Sequence, residues 1–99
     1  MKNVLIILDG IIAKKLLSRI VETNTGNNVY DIVYMNDYIL PQDKPSNFTF
    51  YKFDPTSGSK LKFILDKVIH NEALVVLNNK DDTLAVIANI RTWQKNFYF

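Results

Sequence analysis

Five consecutive apolar residues, Val4–Leu8, stand near the start of the chain. They show no alternation, which predicts a strand buried on both faces, as at the centre of a parallel sheet. After Asp9-Gly10, the residues Ile12, Ala13, Leu16, Leu17, Ile20 and Val21 recur at helical spacing and predict an amphipathic helix. Thr23–Asn28 ends it, with Gly26 as the expected left-handed cap. Val29–Met35 reads as a second strand, closed by Asn36-Asp37. The segment 38–47, with Pro41 and Pro45, reads as a loop. Phe48–Phe53 reads as a third strand, with Phe48, Phe50 and Phe53 toward the core and Tyr51 on the other face.

Asp54-Pro55-Thr56-Ser57-Gly58 is a turn suited to cap a helix marked by Leu61, Ile64, Leu65 and Val68. Ala73–Leu77 is a fourth buried strand. Asn78-Asn79 then start a helix running to about Lys95, and Asp81-Asp82 lie in its first turn, where the macrodipole favours acids. Its apolar set (Leu84, Ala85, Val86, Ile87, Ala88, Ile90) is broader than one stripe, so part of it is expected against a neighbour, and Trp93 is expected in the core or at an interface. Phe97–Phe99 reads as the opening of a fifth strand.

The order β-α-β-β-α-β-α-β predicts an α/β domain: a Rossmann-like parallel sheet, ordered 3-2-1-4-5, with helices on both faces, cut off as strand five begins. Segment 38–47 must join strands two and three without a crossover helix. The 99 residues suffice for one domain, and 47% apolar with 22% charged content is ordinary for a globular chain. The net charge of +2 comes from scattered cations, which argues against nucleic-acid binding. No cysteine is present, which excludes disulfides and thiolate metal sites and fits a reducing cytosol. His70, the one histidine, is expected as a solvated cap or a cation at a helix end. With one histidine and scattered carboxylates, neither a metal site nor a catalytic acid–base set is expected.

The chemistry concentrates at the first turn. In the dinucleotide pattern G-x-G-x-x-G/A, Leu8-Asp9-Gly10-Ile11-Ile12-Ala13 keeps the second glycine and a small last residue. Leu8 stands where the first glycine belongs, and the Asp9 charge opposes phosphate. The chain resembles the TrkA-N family, the N-terminal Rossmann domain of regulators of potassium conductance (RCK or KTN). Leu8–Ala13 followed by Lys14-Lys15 is similar to that family's glycine loop. Tyr30–Asn36 is similar to its second strand, and Phe53-Asp54-Pro55-Thr56 stands where the family has Gly-Asp-Ala-Thr. Ala73–Ala88 resembles its fourth strand, acidic turn and following helix.

The resemblance spans essentially all of residues 1–99 and implies a fragment of a longer chain. It implies a non-catalytic cytosolic domain at the inner face of the membrane, regulating a potassium pore in the same or a partner chain, and assembled as a homodimer or higher oligomer. It further implies that Gly10, Ile11 and Ile12 offer backbone N–H groups to phosphate at the helix start, with Ala13 in the last small-residue slot of that cofactor-binding loop. Asn36, with Asp37 beside it, takes the slot of the ribose-binding acid. Asp54 and Thr56 lie by the base, and Asn78 and Asn79 line the rim. NAD(H), an adenine nucleotide or a cyclic nucleotide would be the ligand. The departures at Leu8, Asp9 and Asn36 all fall on that site, so binding is expected to be weakened, altered or lost, and no ligand at all is one open outcome. A rival reading takes Asp9 and Asp54 as the acids of a response-regulator receiver, one holding Mg²⁺ and the other accepting phosphate.

Overall fold

Six apolar or amide side chains in a row form β1 (Asn3–Leu8), and every residue from Val4 to Leu8 is buried. Nothing in that run offers a solvent face, so β1 sits inside the sheet with a parallel neighbour on each side. The computed structural model describes residues 1–93. After β1 come α1 (Ile11–Glu22), β2 (Val29–Tyr34), a 3-10 turn (Asp37–Ile39) and β3 (Phe48–Lys52). Then follow α2 (Gly58–Lys67), β4 (Glu72–Val76) and α3 (Lys80–Trp93). The sheet order is β3-β2-β1-β4, and all three pairings are parallel. That is the Rossmann-like order expected. The expected fifth strand, Phe97–Phe99, lies outside the described residues.

Two cores flank the sheet. On one face Val4, Ile6, Leu8 and Ile32 pack with Ala13 and Leu17 of α1 and with Ile39. On the other, Leu5, Ile7 and Val33 pack with Leu61, Ile64 and Leu65 of α2 and with Val86 and Ile90 of α3. Each fully buried leucine or isoleucine contributes roughly 1.5–3 kcal/mol relative to exposure. Ile39 explains how β2 reaches β3 without a helix. The 3-10 turn inserts this one apolar side chain beside α1 and so partly replaces the missing crossover helix.

Several expectations change at the level of single residues. Ile12 is not in the α1 stripe: it is 78% exposed, and Ala13 and Leu17 are the buried pair. The α1 C-cap is Thr23 rather than Gly26, whose φ of 80° serves the following turn instead. Phe53 joins Tyr51 on the α2 side, while Phe48 and Phe50 lie on the α1 side. Period-two alternation along β3 requires this split, because residues 51 and 53 share a face opposite to 48 and 50. On α3 only Val86 and Ile90 are buried, and Leu84 is exposed. Trp93 is half exposed, with Lys62 Nζ 4.9 Å from its ring centroid, so it does not finish the core.

His70 is the largest departure. It is fully buried, and its Nε2 lies 2.8 Å from Asp31 Oδ2. Asp31 occupies the middle of an inner strand, where a carboxylate without a partner would be costly. His70 is therefore buried against a half-buried acid rather than capping a helix in solvent.

Candidate functional site

The chain runs outward from β1 to β2 and β3, then returns past β1 to β4. The two directions part between β1 and β4. In open α/β sheets this split, at the carboxyl ends of the strands, is where a crevice forms and ligands bind. Gly10 follows β1 at that point, and Asn78 follows β4. The two meet. A Cβ built on Gly10 would sit 2.8 Å from Asn78 Cγ and closer still to its Oδ1. Gly10 also holds φ at 100°, outside the range that side-chain-bearing residues favour. Glycine is thus required twice here, by the backbone and by the approach of Asn78. Its carbonyl accepts from Lys14 N at 3.0 Å, starting α1.

The turn is tied to its neighbours on both sides. Asp9 N donates to Val76 O at 2.9 Å, which extends the β1–β4 pairing by one bond. Asn36 Nδ2 donates to Asp9 Oδ1 at 3.0 Å. Gly10 N donates to the Tyr38 hydroxyl at 2.9 Å, and that hydroxyl lies 3.4 Å from Asp9 Oδ1. Asp37, between them, pairs with Lys52 Nζ at 2.9 Å. The carboxylate of Asp37 holds the Lys52 ammonium above its ordinary range by accepting its hydrogen bond. Residues 36–38 therefore form a strap across the mouth, bonded to the turn and to β3.

The expected site residues divide into three groups. Gly10, Asn36 and Asn78 converge on the mouth. The Ala13 side chain is buried beneath α1, and the Ile11 and Ile12 side chains point into solvent while their backbone amides stand in the first turn of α1. Asp37, Asp54, Thr56 and Asn79 have local duties. Asp54 Oδ1 accepts from Thr56 N at 2.9 Å and from Thr56 Oγ1 at 2.7 Å, closing the turn before α2. The Thr56 hydroxyl, and then its amide, hold the Asp54 carboxyl below the usual carboxylate range. Asn79 Oδ1 accepts from Asp81 N and Asp82 N at 2.8 and 3.2 Å, an N-cap for α3. Tyr38 is the mouth residue that the sequence did not single out. A large aromatic between Asn36-Asp37 and Pro41 was the available signal.

The receiver layout meets a topological obstacle. Receivers place their third strand directly beside the first. Here β2 lies between β1 and β3, so the strand ends bearing Asp9 and Asp54 are two strands, about 10 Å, apart. Among the described residues no group of three or more acids and histidines is placed to hold a metal ion. No family model matches the chain, and no curated protein matches it.

Proposed function

We propose that this is a regulatory domain of the nucleotide-binding type, serving a potassium channel or transporter, in which nucleotide affinity is weakened. The observation that carries the reading is the meeting of Gly10 and Asn78 at the split between β1 and β4, within a parallel sheet ordered 3-2-1-4. This is where such folds hold pyrophosphate against a helix N-terminus. The potassium assignment rests on the resemblance to the TrkA-N domain. So do a cytosolic position at the inner membrane face, a homo-oligomeric assembly and the absence of catalysis.

The weakening follows from the mouth itself. The Gly10 amide, which a phosphate would need, already donates to Tyr38. Asp9 adds negative charge where a phosphate would arrive. Asn36 can bond a ribose hydroxyl but brings no charge to it. Ligand would act by favouring one arrangement of an assembled pair of domains, which requires different affinities for two states.

Thermal melting with NAD⁺, NADH, ATP, ADP, AMP and cyclic-di-AMP, each with and without Mg²⁺, tests this. Stabilisation by one of them, lost in Gly10→Glu, is the expected result. No shift with any nucleotide at millimolar concentration would remove the ligand-sensing part of the proposal.

A further inference from the structure

The outer face of α1 carries a surface that the ligand mouth does not use. Ala13 and Leu17 fix the buried side of the helix. At about 100° per residue, Ile11, Lys15, Ser18, Arg19 and Glu22 then point away from the sheet. Ile11 is 70% exposed and Ile12 78%. Two adjacent isoleucines in water are unusual beside a strand that buries five apolar residues in a row. Lys14, Lys15 and Arg19 are all exposed one and two turns further along, and Glu22 is the helix's one acid. Together these side chains line an open trough of about 730 Å³.

We propose that this face docks on an anionic phospholipid surface. Its chemistry is that of an interfacial helix. An apolar wedge enters the boundary between headgroups and acyl chains while lysines and arginine stay among the phosphates. Charge complementarity selects this occupant. In a two-fold contact between copies, the face would meet itself, so three cations and one acid on each side would face the same net positive set. Lysine is also depleted at the centre of protein interfaces. Among the described residues no helix is long and apolar enough to cross a membrane, so the contact is peripheral. Two isoleucines and three cations make a weak, reversible, salt-sensitive anchor. The inference stands independently of nucleotide binding.

Co-sedimentation with vesicles tests it, using phosphatidylcholine alone and phosphatidylcholine with about 30% phosphatidylglycerol, a strongly anionic surface. The protein is expected to pellet with the anionic vesicles only, and to be released at about 0.5 M salt. Ile11→Ser/Ile12→Ser and Lys14→Glu/Lys15→Glu should each weaken binding by about tenfold or more. Both pairs are exposed, so melting curves should match the parent. Phe63→Ser, which removes an exposed aromatic from α2, should bind as the parent does. Failure to pellet with anionic vesicles overturns the proposal. So does equal pelleting with neutral ones, or binding that survives the isoleucine changes. A dimer in sedimentation velocity that the isoleucine changes dissociate, without vesicle binding, also overturns it and assigns the face to a second copy.

Discussion

The two ends of the sheet use polar side chains in opposite ways. At the amino ends of the strands they stitch distant segments together. His70 meets Asp31, Asn71 Oδ1 accepts from Asn3 N at 2.8 Å, and Asn47 pairs with Asn24 and bonds Asn28 O. Lys2 and Glu72 add an exposed ion pair. These contacts fix where β1, β2 and β4 begin, and the central one buries its histidine fully. At the carboxyl ends the polar side chains of Asn36, Asp37 and Asn78 are all exposed around a turn whose Gly10 is buried. One end spends its polar groups on register; the other leaves them where a ligand could exchange with them. The buried stitching and the exposed polar groups are thus separated by the length of a strand, and substitution can test each alone.

The sharpest break of that comparison is Asp31→Ala. It strips a fully buried histidine of its carboxylate partner and leaves a hole in an inner strand. A loss of about 3 kcal/mol is expected in urea unfolding. Asn36→Ala at the other end removes an exposed hydrogen bond and should cost less than about 1 kcal/mol. Equal losses would mean that the mouth is as structural as the amino end. The contrast would then be void.

This pairing also marks a limit of what the residues disclose in order. Asp31 interrupts an otherwise apolar strand, which demands a partner, and the chain has a single histidine; the two could have been joined on that ground alone. The place of His70 just past a helix end suits a cap or a dipole-facing cation equally well. The parallel sheet was legible because uninterrupted apolar runs such as Val4–Leu8 have few other uses. The Asn79 cap was legible because a polar residue followed by acids is a local signal. Gly10 and Asn36 were legible from the glycine-loop pattern and the end of the second strand. Tyr38 was not: a large aromatic in that loop signals burial or contact, but not that its partner is a turn 28 positions earlier. Asp54 and Thr56 were placed at a ligand by resemblance, whereas their two-residue spacing serves a local turn first.

Gly10→Ala sharpens the comparison from the carboxyl end. Residue 10 is the one place at the mouth where conformation and contact are both demanding, so the substitution should cost about 2 kcal/mol. Gly26→Ala provides the control. Gly26 also has positive φ, at 80°, but nothing lies within 4 Å of an added Cβ. Its cost should be nearer about 1 kcal/mol, from the backbone alone. Adding Asn78→Gly to Gly10→Ala should recover the steric share and leave the backbone share. A cycle showing no coupling between positions 10 and 78 would mean that the strand ends are not held together as described.

The smallest effect concerns Asp54, at the edge of the carboxyl end. Two bonds from Thr56 favour its ionised form, so its carboxyl titrates below the usual carboxylate range. A carboxyl with a lowered native pKa adds stability that is present above its unfolded value and is lost as pH falls through the native one. Thr56→Ala removes the hydroxyl, the larger of the two causes, and keeps the amide. The Asp54 carbon resonance should then titrate at higher pH than in the parent, though still below an unperturbed aspartate. At neutral pH the variant should be slightly less stable, and the difference should close in acid once both carboxyls are protonated. The group is exposed, so solvent screening keeps the effect small. A titration unmoved by Thr56→Ala would mean that Asp54 is not committed to this turn. It would then be free to face a ligand, as the resemblance to the TrkA-N domain implies.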